Sequence, residues 1–145
     1  MAVNHIGRDS STRGCYRGRC AIAVMARAPQ PGQSKTRLVP PLSAEQAAAI
    51  SGAFLRDITE NIALVARDAP IDGWIAYAPL ASEPLFAGHL APGTRLLLAD
   101  GSPEMPRGVQ GFGRCLLHAI SGLIAQGYGA ACLVNWRHPR QAACR

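Results

Sequence analysis

Acidic side chains run out early in this chain. It has nine Asp and Glu against fifteen Lys and Arg, and no carboxylate follows Glu104. The last forty or so positions therefore have no Asp or Glu to offer a divalent cation. Long apolar runs are missing too. None reaches the ~18 residues of a membrane-spanning helix, and the N-terminal stretch has no apolar segment of the kind that marks a secretory signal. Cysteines are few, odd in number and scattered: Cys15, Cys20, Cys115, Cys132 and Cys144. That excludes a disulfide framework. Cys15 and Cys20 have no second ligand pair at zinc spacing. Cys115 and Cys132 lie in apolar runs and read as packed thiols. A reduced, cytoplasmic setting is expected. There is no internal repeat.

What is present suits one globular domain. Of 145 residues, 48% are apolar and 17% charged, which is not a disordered composition. The net charge of +6 sits at the two ends. Arg8, Arg13, Arg17 and Arg19 face only Asp9 in residues 1–20, while Arg137, Arg140 and Arg145 face no acid in 136–145. The middle is balanced. A nucleic-acid partner calls for a basic stripe on a folded face, so none is expected, and neither is a membrane. The expected layout is a disordered basic extension over 1–20, an α/β domain over 21–135 and an irregular tail over 136–145.

One stretch carries most of the chemistry. Residues 22–38 read IAVMARAPQPGQSKTRL. A short apolar run of strand length breaks into a loop with two prolines and Gly32. The loop then delivers Lys35, Thr36 and Arg37 together. Backbone donors and fixed cations after a buried strand are a common phosphate-binding device. Lys offers a point charge and Arg a fork that grips two oxygens. A P-loop is excluded, because its two glycines would fall on Pro29 and Ser34. Solvation of the two cations on a loop surface is the competing explanation.

The remaining pattern alternates strands and helices. Strands are predicted at Ala21–Met25, Trp74–Ala78, Arg95–Ala99 and Ala130–Val134. Ser43, with Gln46 three positions on, signals a helix start. That helix carries Ala47, Ile50, Phe54, Ile58, Ile62 and Val65 as its inner stripe and ends near Arg67 or Asp68. A short helix is predicted over Glu83–Leu90. A second long one runs over Phe112–Ala125, with Leu116, Leu117, Ile120, Leu123 and Ile124 inward. This alternation predicts a parallel sheet, the last strand beside the first, and a ligand site at the strands' carboxyl ends. The Arg27–Arg37 loop leaves such an end.

The segment resembles the opening of a bacterial family of GT-A-type glycosyltransferases, which includes members linked to arsenosugar biosynthesis and is distantly similar to nucleotidyltransferases. The resemblance rests on Met25, Ala26, Arg27, Pro29, Pro31, Gly32, Lys35, Thr36, Arg37 and Leu38, then Pro41, Leu42, Ser43, Glu45, Ala47 and Ala48. It spans roughly residues 21–135. It implies an α/β, parallel-sheet nucleotide-diphospho-sugar transferase fold of the Rossmann-like GT-A type, incomplete here. It also implies a nucleotide-sugar ligand and a Mg²⁺ or Mn²⁺ ion. On this resemblance Arg27, Gly32, Lys35, Thr36 and Arg37 hold the diphosphate. No catalytic residue is assigned.

Two departures stand out. The family places an acidic [SG]-D-[ST]-P motif after the fourth strand. This chain has Asn135, Trp136, Arg137, His138 and Pro139 there, so the metal-ligand residues are absent. Trp is encoded only by TGG. With CGA for Arg137 and CAC for His138, moving forward one base yields Gly-Asp-Thr and a codon that can be Pro. A frameshift after Asn135 is therefore expected. The family's helix arginine also falls on Cys115, with Arg114 one position early, about 100° away around a helix. The expected activity is glycosyl transfer from a nucleoside-diphosphate sugar, lost in this form. The alternatives are a nucleotidyltransferase releasing pyrophosphate and a non-catalytic remnant.

Overall fold

The structure is a computed structural model that describes residues 16–135. Its elements follow in the order β1 (Cys20–Ala26), α1 (Ala44–Val65), β2 (Ile71–Tyr77), a 3-10 turn (Glu83–Phe86), β3 (Arg95–Leu98), α2 (Phe112–Ala125) and β4 (Ala130–Asn135). All four strands are parallel, in the order β3-β2-β1-β4. The chain steps from β1 to β2 to β3 in one direction, then returns to place β4 on the other side of β1. That reversal makes the carboxyl end of β1 a switch point, where open α/β sheets bind ligands.

Strand alternation assigns the two sheet faces. Ala21, Ala23, Met25, Trp74, Ala76 and Leu97 pack with Ala119 and Leu123 of α2. Val24, Ile75, Tyr77 and Leu96 pack with Leu55 of α1 and with Phe86 and Leu90. The helices thus cover opposite faces, and the central strand is buried on both, as its unbroken apolar run suggests. None of the described helices is long and apolar enough to cross a membrane.

The start of α1 follows its sequence signal. The Ser43 hydroxyl accepts from the Gln46 amide at 3.1 Å, and the Gln46 side chain accepts from the Ser43 amide at 2.9 Å. Such a cap contributes about 1 kcal/mol. The predicted inner stripe is only partly right. Ala47 is buried, but Phe54 and Val65 are about half exposed, and the buried set is Ala47, Ala48, Ser51, Gly52, Leu55 and Thr59. Small side chains let the helix come close to its neighbours. The Thr59 hydroxyl accepts from the Ala91 amide at 2.9 Å and donates to the Leu55 carbonyl at 2.7 Å. A Cβ on Gly52 would lie 2.5 Å from the His89 ring. The predicted inner stripe of α2 is likewise only partly right: its buried residues are His118, Ala119, Gly122 and Leu123, while Ile124 is about half exposed.

The basic extension expected over 1–20 does not reach residue 20. Tyr16 stacks on Tyr128 with centroids 4.5 Å apart, and its hydroxyl accepts from Arg95 Nη1 at 2.7 Å. Arg19 forms a two-pronged ion pair with Asp72, at 2.9 and 2.7 Å. Cys20 opens β1. These partners come from β2, β3 and the α2–β4 connection, so the short segment is anchored by side chains remote in sequence. Residues 1–15 and the tail 136–145, including the position of the expected frameshift, lie outside the described residues.

Candidate functional site

The switch point opens into a cleft of about 610 Å³, a size suited to a small organic ligand. Its floor is the carboxyl ends of three strands: Met25 and Ala26 of β1, Ala76 and Tyr77 of β2, and Ala99 just after β3. Its wall is the loop after β1, which contributes Arg27, Gln33, Ser34, Lys35, Thr36 and Arg37. Phe112 and Cys115 of α2 and Ser51 of α1 also line it.

The loop is closed upon itself by one residue. The Gln30 carbonyl accepts from the amides of Gln33 (3.1 Å) and Ser34 (3.0 Å). It also accepts from the Ser34 hydroxyl at 2.9 Å, and that hydroxyl accepts from the Gln30 amide at 3.0 Å. Ser34 is buried. The residue that excludes a P-loop is thus the clasp of a different loop. Its only sequence signal is a small hydroxyl residue placed where it can bond back to the nearby backbone.

Past the clasp, Lys35 adopts a left-handed backbone with φ 52°, a conformation that costs a non-glycine residue about 1 kcal/mol. The turn Thr36–Leu38 follows at once, with the Lys35 carbonyl accepting from the Leu38 amide at 2.8 Å. The Lys35 ammonium lies 5.3 Å from the centroid of the Phe54 ring, within cation–π range. Partial burial pushes its pKa below the usual lysine value, because a desolvated ammonium releases its proton more readily. Arg27 and Arg37 are exposed. Neither has an ion-pair partner among the described residues.

Of the five residues singled out from the sequence, Arg27, Lys35, Thr36 and Arg37 line this one cleft, and Gly32 does not. Gly32 has φ 75°, so the turn uses its freedom to adopt a positive φ. The lining also includes Tyr77, Phe112 and Cys115, which come from distant elements. Tyr77 donates its hydroxyl to Glu83. Burial and that carboxylate push its pKa well above the usual tyrosine value, so the phenol stays protonated.

Arg114 does not reach the cleft lining. Its guanidinium donates to the carbonyls of Gly101 (3.1 and 2.8 Å) and Pro103 (3.1 Å). It thereby fixes the loop that leaves β3. Cys115, at the position where the resemblance places an arginine, does line the cleft.

Among the described residues, none that lines the cleft is acidic. Asp100, just past β3, accepts from the Ser102 amide at 2.9 Å and lies 3.4 Å from His118 Nδ1. No group of three His, Cys, Asp or Glu among the described residues is placed to hold a metal ion. The donor set for the expected Mg²⁺ or Mn²⁺ is therefore not met by the described residues, and no chemical step is assigned to such an ion.

No protein-family profile and no curated protein sequence matches this chain. A crystal structure from Desulfovibrio desulfuricans G20, described as a "putative nucleotide-diphospho-sugar transferase", is similar in fold, with a TM-score of 0.61 and 22% sequence identity. The match covers 80% of this chain and 46% of that one, so the chain spans about half the length of its structural neighbour. The α/β parallel-sheet fold read from the sequence is shared with this neighbour.

Proposed function

We propose that this chain is a GT-A-type, glycosyltransferase-like protein that binds a nucleoside-diphosphate sugar in the cleft and does not turn it over. The convergence of Arg27, Lys35 and Arg37 on the carboxyl ends of the sheet carries this proposal. In it, Lys35 and Arg37 offset the diphosphate charge, Arg27 supports them from the same loop, and Thr36 presents a hydroxyl beside them. Gly32 shapes the loop without lining it. The base and sugar occupy the remainder of the cleft. In support of the absence of turnover, the described lining residues include no carboxylate and no histidine to act as general acid or base.

Calorimetry tests the binding. UDP and GDP are expected to bind the full chain. The Lys35→Ala, Arg37→Ala double variant is expected to lose about tenfold or more in affinity, since charge-assisted bonds are worth about 1.5–3 kcal/mol each. Unchanged affinity in the double variant would remove the site. Product analysis tests the rest. Release of free nucleoside diphosphate from a sugar nucleotide would show that the chain is an active transferase. Pyrophosphate from a nucleoside triphosphate would make it a nucleotidyltransferase instead.

A further inference from the structure

We infer that the cleft takes its diphosphate ligand without a divalent metal ion, its own three cations filling that role. This rests on the diphosphate-binding role proposed above and adds a statement about cofactor use.

The donor chemistry of the chain supports it. A hard divalent cation at a phosphate site is held by one or two carboxylates plus the phosphates themselves. Three described acidic residues in or beside the strands have other partners. Glu83 accepts from the Tyr77 hydroxyl. Asp100 is turned to the Ser102 amide and His118, where it shapes the loop after β3. Asp72 is paired with Arg19 near the opposite, amino-terminal end of β2. β4, which lies beside β1, brings no carboxylate either.

Charge balance points the same way. A free nucleoside diphosphate carries a charge of about −3 near neutral pH, as each terminal phosphate loses its second proton near pH 6. Arg27, Lys35 and Arg37 supply three positive charges on one wall of the cleft, with no acid among its lining residues. A metal ion added there would meet these cations with no carboxylate among the described lining residues to offset them, since Glu83 and Asp100 act on the Tyr77 hydroxyl without lining the cleft. Two guanidinium forks and one ammonium can instead contact the non-bridging oxygens directly.

The test is calorimetry of UDP against the full 145-residue chain, once in EDTA and once in millimolar MnCl₂, with a thermal melt of the same sample. Affinity in Mn²⁺ is expected to equal that in EDTA or to fall severalfold, because Mn²⁺ held by UDP removes charge that the arginines would pair. Mn²⁺ titrated into the chain without nucleotide, read by its EPR signal, is expected to stay free. An affinity about tenfold or more higher in Mn²⁺, or loss of the free-ion signal, would overturn the inference while leaving the diphosphate site standing. Absence of UDP binding in both media, by a chain that melts cooperatively, would overturn the site and the inference together. The Arg27→Gln variant supplies a second check. It is expected to weaken UDP binding in EDTA and to gain nothing from Mn²⁺, and rescue by the metal would count against the inference.

Discussion

Replacing Tyr16 with alanine is expected to destabilise the domain by about 2–3 kcal/mol. Three interactions go with the ring. It stacks on Tyr128 at 4.5 Å with 18° between planes, a pairing worth about 0.5–1.5 kcal/mol beyond burial. Its hydroxyl accepts from Arg95 at 2.7 Å, a charged-donor bond worth about 1.5 kcal/mol at the low end. The Arg95 guanidinium also lies 5.2 Å from its ring centroid, adding about 0.5 kcal/mol at a partly exposed site. These contributions overlap, since Arg95 keeps its bond to the Tyr128 hydroxyl at 3.3 Å and its contact with Trp74. A chain of this size loses roughly 3–5 °C of melting temperature per kcal/mol, so a drop of about 10 °C is expected. Urea unfolding followed by Trp fluorescence gives the free energy directly. Tyr16→Phe keeps the stack and loses only the hydrogen bond, so it should fall about midway. A Tyr16→Ala variant within about 0.5 kcal/mol of the parent, the range of ordinary surface changes, would show that residues 16–19 are not anchored as described.

Two pH effects follow from the same structure. UDP affinity should fall as pH rises through the Lys35 pKa, and should do so below the usual lysine range, since burial has lowered that pKa. Lys35→Arg should keep its affinity to higher pH, and identical pH profiles for the two proteins would refute the role of Lys35. Asp72 titrates below its ordinary 3.8, chiefly through its hydrogen bond from Arg19. A carboxylate with a depressed folded pKa adds stability that is fully present above the unfolded value and is lost as pH falls through the folded one. Acid unfolding of the parent should therefore steepen below about pH 4, and Asp72→Asn should flatten that limb. An unchanged limb would show that the Arg19 pair adds nothing.

The sequence was legible where local chemistry decides the outcome. Helix α2 begins at Phe112 and ends at Ala125 as predicted, bracketed by glycines. The Ser43 and Gln46 cap is in place. Helix α1 was legible in extent but less so in facing. Hydropathy directs large residues inward, so Phe54 looked like core. Close approach to the sheet and to residues 89–91 instead selects Ala48, Ser51, Gly52 and Thr59. Tyr16 and Arg19 were read as part of a solvated extension because a short anchored segment has no period of its own. Its partners, Asp72, Arg95 and Tyr128, are scattered along the chain. The candidate site divides the same way. Lys35 and Arg37 stand out locally, whereas Tyr77, Phe112 and Cys115 enter the cleft only because the sheet order brings strand ends and α2 together.

That sheet order also sets a timetable for folding. Strand β1 is made before the strands it pairs with, and one of its two edges pairs with β4, Cys20 lying opposite Ala130. At about 5–20 residues per second, a ribosome exposes that edge on the order of ten seconds before its partner emerges. During this interval the most apolar strand of the protein has a free ladder of amides and carbonyls, open to any other extended chain. Helix α1, capped and built early, can shield one face of β1 but not that edge. Yield in the cell should therefore respond to chaperone supply and to translation speed between β3 and β4 more than to the stability of the finished fold.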